Sequence, residues 1–467
     1  MLQDFLKIYF ITLSTIAAAA AAITTTKTTT TMERECGLSE IMELSMDTPV
    51  QRQVIDAQYS HVRPVGPVKD ASEIEFLVPN DSDMFIDLAN TELITKFRVK
   101  KGNNNNLVAG DKVGVINYIG ATMFNSIDCW LGDTLVTERT PNQAFRAIVE
   151  TLTAYGQDAA NTWLRSGLFC KDTPEEMDNT NPAPTGASAG VNEGLKQRFE
   201  YTKESRCVTV RARIHSDLFN QSRPLIDGVP LRVRFNLNKD KYCLLSDKDT
   251  VPYKIVIDDI VMRVRYEKLA DDIYQKTIKA NAIYPIARVK VKESVIPIGG
   301  KTHNIPNFVS GELPEKIIVG IVTNDAAVGD YKKNPFNFQH FNLSELSLIV
   351  NNTVHGGTPL TFDFDDEQFE SGYWSLFEAS GKKFRDDGML IERDDYKGGY
   401  ALYAFDISPS VCNIGEYRDP ERRGNISISC NFSKAPTETL ILCAYLQFND
   451  KITVTAGKEI AISYNKP

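Results

Sequence analysis

Short runs of alternating apolar and polar residues dominate this chain. Val208, Val210, Ala212 and Ile214 alternate with Thr209, Arg211 and Arg213, and Leu231, Val233, Phe235 and Leu237 alternate with Arg232, Arg234 and Asn236. A period of two sends successive side chains to opposite sheet faces, so each run predicts a strand with one buried and one wet face. Glu73–Val78, Phe85–Val99, the Val289/Val291 run and the Ile426–Phe432 run read the same way. Val115–Val136 is mixed but strand-like, Tyr253–Leu269 completes the first half, and Leu440–Phe448 and Ile452–Val454 close the second. The outward arginines are expected on a solvated face or at a subunit contact rather than on nucleic acid.

The chain is organised around Leu313–Asn352. An apolar run from Ile317 to Val322, too short for a helix, leads into a polar loop with Gly329, Asp330, Lys332 and Lys333. Phe336, Phe338 and Phe341 follow, then Leu346, Leu348 and Val350 alternating with Ser347, Ile349 and Asn351. This predicts strand, aromatic-anchored loop, strand, the way a sandwich fixes the path of a long connection.

Helical periodicity interrupts the strands twice. Thr140 is expected as N-cap with Pro141 at the first helical position, then Phe145, Ile148, Val149, Leu152 and Tyr155 at helical spacing, with Gly156 as C-terminal cap. That helix is expected to cover the open edge of a barrel. A second helix is expected near Phe369–Ser380. Residues 171–198, rich in Pro, Gly, Asn and Thr, read as a long exposed loop that cannot pack.

At 467 residues the chain exceeds one core and suits two domains of roughly 200 residues each. The expected organisation is an extension over 1–31, an N-terminal arm over 32–71, a first jelly roll over 72–270, a linker over 271–286 and a second jelly roll over 287–467. Many short alternating strands and few helices give the fold class: all-β, two tandem eight-stranded jelly-roll β-sandwiches with a few short helices. The net charge of −9, from 52 basic and 61 acidic residues, gives no electrostatic footprint for nucleic acid. The eight cysteines are dispersed without a CxxC pair and read as reduced thiols, which favours assembly inside a cell. The N-terminus points elsewhere. Ile8–Ile23 is an uncharged run of 16 residues followed by threonines, which fits a low-complexity extension, a signal peptide or a membrane anchor.

Candidate chemistry is sparse. His61, His215, His303, His340 and His355 form no HxH, HxxxH or HExxH pair, so zinc-hydrolase and cupin spacings are missing. Neither a GxSxG elbow nor a Walker loop occurs, and Gly299-Gly300-Lys301-Thr302 lacks the upstream glycine. The acidic run 363–367 reads as a solvated loop rather than a hard-cation site. The sequons at Asn342 and Asn425 matter only for a secreted protein. The expectation is no enzyme: no catalytic residue, no cofactor, no metal ligand.

Four stretches carry a resemblance: EIEFLVPNDSDMFIDLANTELITKFRVKK (73–101), FRAIVETLTAYGQDA (145–159), LPEKIIVGIVTNDAAVGDYKKNPFNFQHFNLSEL (313–346) and DDYKGGYALYAFDISP (394–409). In family order over most of 36–467, the chain resembles the double jelly-roll major capsid proteins of the Polinton/Maverick and adintovirus group, distant relatives of the adenovirus hexon. The resemblance implies one upright jelly roll per half. It implies a homotrimer forming a pseudo-hexameric capsomer, with neighbouring capsomers and a penton-type minor capsid protein as partners. The expected location is the virion, assembled inside the host cell, with the gene possible in an integrated element; no sequence-specific nucleic-acid contact and no membrane span are expected. On this reading 171–198 lies at the capsomer surface. Rival readings are a secreted two-domain β-sandwich that binds carbohydrate or cell surfaces, a bicupin-type enzyme, and a capsid gene domesticated by its host.

Overall fold

The structure, a computed structural model, describes residues 51–80, 83–183, 190–248, 251–410 and 419–463. Strands in the first half are β1 Val54–Val62, β2 Glu73–Val78, β3 Phe85–Lys101, β4 Phe124–Leu131, β5 Thr134–Leu135, β6 Val208–Arg213, β7 Leu231–Leu237 and β8 Tyr253–Leu269. Those in the second are β9 Ala282–Ile296, β10 Thr302–Glu312, β11 Lys316–Thr323, β12 Leu343–Val350, β13 Thr353–Val354, β14 Leu402–Asp406, β15 Arg423–Phe432 and β16 Leu440–Val454. Short accessory pairs add Val113–Val115 to Leu244–Ser246, Leu360–Thr361 to β12 and Ile460–Ile462 to β16.

Two antiparallel sheets form each half. Their orders are β1-β8-β3-β6 and β2-β7-β4-β5 in the first, β9-β16-β11-β14 and β10-β15-β12-β13 in the second. Adding eight to each strand number of the first half yields the second. In both, the chain crosses to the opposite sheet at every step except one hairpin, β4–β5 or β12–β13. This is the jelly roll, made twice. Alternation supplies the cores: Ile74, Phe76 and Val78 point inward from β2, as do Leu231, Val233 and Phe235 from β7. The outward arginines of β7 are half-buried. Arg232 and Arg234 lie over the Trp130 ring at 4.3 and 5.2 Å, and Arg234 pairs with Glu75 at 2.9 Å.

Four helices matter for the site: α1 Gln143–Ala154, α2 Glu193–Thr202, α3 Asp271–Thr277 and α4 Glu370–Ser380. Here the structure corrects several expectations. The N-cap of α1 is Asn142, in the left-handed region at φ 65°, whose side chain accepts from Phe145 N; Thr140 lies upstream and Pro141 is outside the helix. Asn tolerates that conformation and caps with its own oxygen, so it displaces the hydroxyl two residues earlier. The helix ends in extended Tyr155, and Gly156 begins another short helix instead of capping this one. Val115–Val136 is broken by a helical turn, Ile119–Thr122.

Part of the expected arm, Val54–Val62, is strand β1 along the edge of a sheet, and β9 begins at Ala282, inside the expected linker. The segment 171–198 packs after all. Asp172, Met177, Thr180, Asn192, Leu195 and Arg198 are buried, and Asn192 caps α2 by accepting from Leu195 N. Its residues 184–189 lie outside the described residues, as does the expected extension 1–31.

Candidate functional site: the seam between the two barrels

Nine residues of α1 are buried, Gln143 and Arg146 among them, which a helix covering one barrel edge does not need. The helix is buried from both sides, by β4 and Ile119–Thr122 of its own half and by β9, β16 and α4 of the second. Phe338 meets Phe145 edge-to-face with ring centres 5.6 Å apart. Phe338 belongs to the loop between β11 and β12, and this loop is the first of two locks on the seam.

The aromatic lock is tied to its own barrel, where Phe338 N donates to Gly399 O at 2.8 Å, and reaches from there into the other half of the molecule. Tyr331 and Tyr253 exchange hydrogen bonds: the Tyr331 hydroxyl donates to the Tyr253 carbonyl and accepts from Tyr253 N, each at 3.0 Å. Phe336 packs edge-to-face on Tyr242 at 6.4 Å. Gly329 permits the approach: its φ is +102°, and a Cβ there would stand 2.9 Å from Tyr242 N. Asn334 donates to Asp172 Oδ2 at 3.1 Å and, through its backbone N, to Asp178 at 2.8 Å. Asp172 pairs with Arg198 of α2 at 2.7 Å with both side chains fully buried, and its carbonyl accepts from the Tyr400 hydroxyl at 2.8 Å. A buried pair needs its remaining polar atoms satisfied, and the second barrel supplies those partners.

The second lock is ionic. Arg146 of α1 pairs with Glu150 and Asp217, each at 2.8 Å, while Asp217 accepts from Val289 N of β9 at 3.2 Å. Burial works against ionised Glu150, but Arg146 and His215, whose Nδ1 lies 2.7 Å away, outweigh it and hold the carboxyl well below its usual range. Asp217 goes the other way: burial is its largest influence and raises it despite Arg146. Arg288 of β9 is 1% exposed and reaches Asp450, Glu312 and, across the seam, Glu138 at 2.9 Å. It also lies over the Phe448 ring at 4.4 Å. Burial opposes its charge, and these carboxylates more than restore it.

The residues weighed for chemistry fall elsewhere. Gly299-Gly300-Lys301-Thr302 is the turn between β9 and β10, where Gly299 N donates to Pro436 O. The acidic run is exposed and paired, Asp365 with Lys434 and Glu367 with Lys397. Asn342 and Asn425 lie far apart in sequence on the strands and loops of the second half; Asn425 is near Asn307. His215 is the buried histidine of the five and belongs to the seam. Cys129, Cys170, Cys207, Cys243, Cys430 and Cys443 are free; burial pushes the Cys129 and Cys430 thiols up to about 12, which suppresses thiolate chemistry. Cys36 and Cys412 lie outside the described residues. Among the described residues no group of three or more His, Cys, Asp or Glu is placed to hold a metal ion, and no helix is long and apolar enough to cross a membrane. Arg146, Glu150, Asp217 and Arg288 were not singled out from sequence, where an arginine four residues before a glutamate reads as an exposed helical pair.

The fold is that of double jelly-roll major capsid proteins. A chain from the cryo-EM structure of the Sputnik virophage superposes with a TM-score of 0.57 at 13% identity over 94% of both chains. The capsid model of the virus PBCV-1 gives 0.55 at 11% identity over 90% of this chain and 100% of that one. The mavirus major capsid protein gives 0.52 at 11% identity over 94% and 95%. In sequence, an uncharacterized protein of Caenorhabditis elegans is 22% identical over 401 residues, 80% of this chain and 89% of that protein. No family model matches the chain.

Proposed function

We propose that this chain is the major capsid protein of a DNA virus or virus-like transposon, with a structural and not a catalytic role. The observation that carries the reading is the repeated barrel: one strand order made twice in one chain, with two locks joining the copies. A rigid pair of similar barrels is what a hexagonal lattice needs from a threefold oligomer. Three copies present six barrels, and closed cyclic symmetry stops growth at three. The chain passes from one jelly roll to the next through α3, and the trimers contact neighbouring capsomers and a penton-type protein at the fivefold positions. Similarity to a nematode protein accords with a gene carried by an integrated element. The secreted, carbohydrate-binding alternative is not favoured by the structural matches, which are to viral capsid proteins.

Electron microscopy of the purified full chain tests this. Six-lobed particles with threefold symmetry are expected. Featureless single molecules at micromolar concentration would reject the capsomer.

A further inference from the structure

We propose that a groove beside α4 on the second barrel is the docking surface for strand β1 of a second copy of this chain. The inference rests on the oligomer proposed above and names the two faces that close it.

Strand β1 corresponds to β9 in the repeated order: each opens its half and edges the equivalent sheet. Their surroundings differ. The first barrel holds β9 at several points. Glu138 pairs with Arg288 and Lys290, Asn142 Nδ2 donates to Glu293 at 2.8 Å, and Asp217 accepts from Val289 N. Among the described residues β1 pairs with β8 alone, and every residue from Ile55 to His61 is exposed, Ile55 at 58% and Tyr59 at 48%. An edge strand wet on both faces and carrying large apolar side chains is a template for another chain.

Three parts of the first barrel hold β9: the residues after β5, helix α1, and the residues just past β6. Their counterparts in the second barrel are the residues after β13, helix α4, and the residues just past β14. These three line one open groove of about 660 Å³, where His355 and Thr358 follow β13, Glu378 belongs to α4 and Ser408 follows β14. Leu360 and Phe405 add apolar surface to it. The surface that carries a strand in the first barrel is therefore open in the second, and the strand equivalent to β9 that remains uncovered is β1. Repeating the seam between copies makes a ring. Such a contact joins two different patches head to tail, and a threefold rotation closes it.

Chemical cross-linking of the full chain tests it. Cysteines replace the exposed Ala57 on β1 and the exposed Thr358 in the groove, and a short bis-maleimide is added to the native protein. The double variant should give covalent trimers on a denaturing gel. Ala57→Cys or Thr358→Cys alone should stay at the wild-type background, and the two single variants refolded together should give dimers. Ile55→Asp should weaken the trimer by about tenfold or more while the chain stays folded by circular dichroism. A trimeric mass by light scattering without cross-linking in the double variant would overturn the docking surface and leave the capsomer standing. Dimers from Thr358→Cys alone would assign the groove to a like-with-like contact and overturn it as well. A monomer at every concentration would reject the capsomer, and this inference with it.

Discussion

The two barrels share a strand order and differ in what fills one connection. Between β5 and β6 the first barrel inserts residues 136–207, whose α1 is buried between the two barrels. Between β13 and β14 the second barrel inserts residues 355–401, whose α4 packs on its own edge strand, where Ala404 N donates to Ser375 Oγ at 3.1 Å. The α4 insertion keeps Trp374 and Phe384 in solvent, Phe384 at 88% exposure. Repeating the strands yields two equivalent frames. The insertions make them unequal: the first buries a helix in the seam, whereas the second reaches the seam through Tyr400, Leu390 and Gly398, closes its own edge and also presents Trp374 and Phe384 outward.

Breaking the seam should therefore cost far more than altering the outward insertion. Arg288→Ala removes the pair with Glu138 across the seam and the buried pair with Asp450, and should destabilise by about 3–5 kcal/mol, read as a shift in the urea midpoint. Phe338→Ala removes a fully buried ring from the aromatic lock and should cost about 3–5 kcal/mol in the same assay. Tyr331→Phe keeps the ring and loses both hydrogen bonds to Tyr253, a loss of about 1–3 kcal/mol. At the other insertion, Phe384→Ser should change stability by no more than about 0.5 kcal/mol. A large loss there would erase the contrast between the insertions.

The ionic lock also sets a pH dependence. Glu150 titrates below its ordinary 4.5 in the folded chain, so its stabilising share is complete above that value and drains away as pH falls toward the folded value. Asp217, which burial raises, has the opposite sign and partly offsets the loss. Glu150→Gln should flatten the fall of the urea midpoint between about pH 5 and pH 3. An unchanged acid limb would remove Glu150 from the account.

The barrels were legible because alternation is local. Leu231, Val233 and Phe235 announce an inward face whatever they pack on, and strand β7 follows. The Phe-rich loop was recognised as an anchor, but not for the barrel it anchors to, since Tyr331 and Tyr253 meet only after both barrels form. The same holds for α1: its spacing gave the helix, while the burial of Arg146 depends on Val289 and Asp217, far along the chain. Residues 171–198 looked unpackable because Asp172 is satisfied by Arg198 at the far end of the same segment and by Asn334 of the second half, and composition alone assigns such polar groups to solvent.

Static light scattering on a sizing column, applied to the full chain, tests the capsomer most directly. A mass of three times 52.2 kDa, constant on dilution, is the result the account predicts. A folded species of 52.2 kDa at every concentration would contradict it.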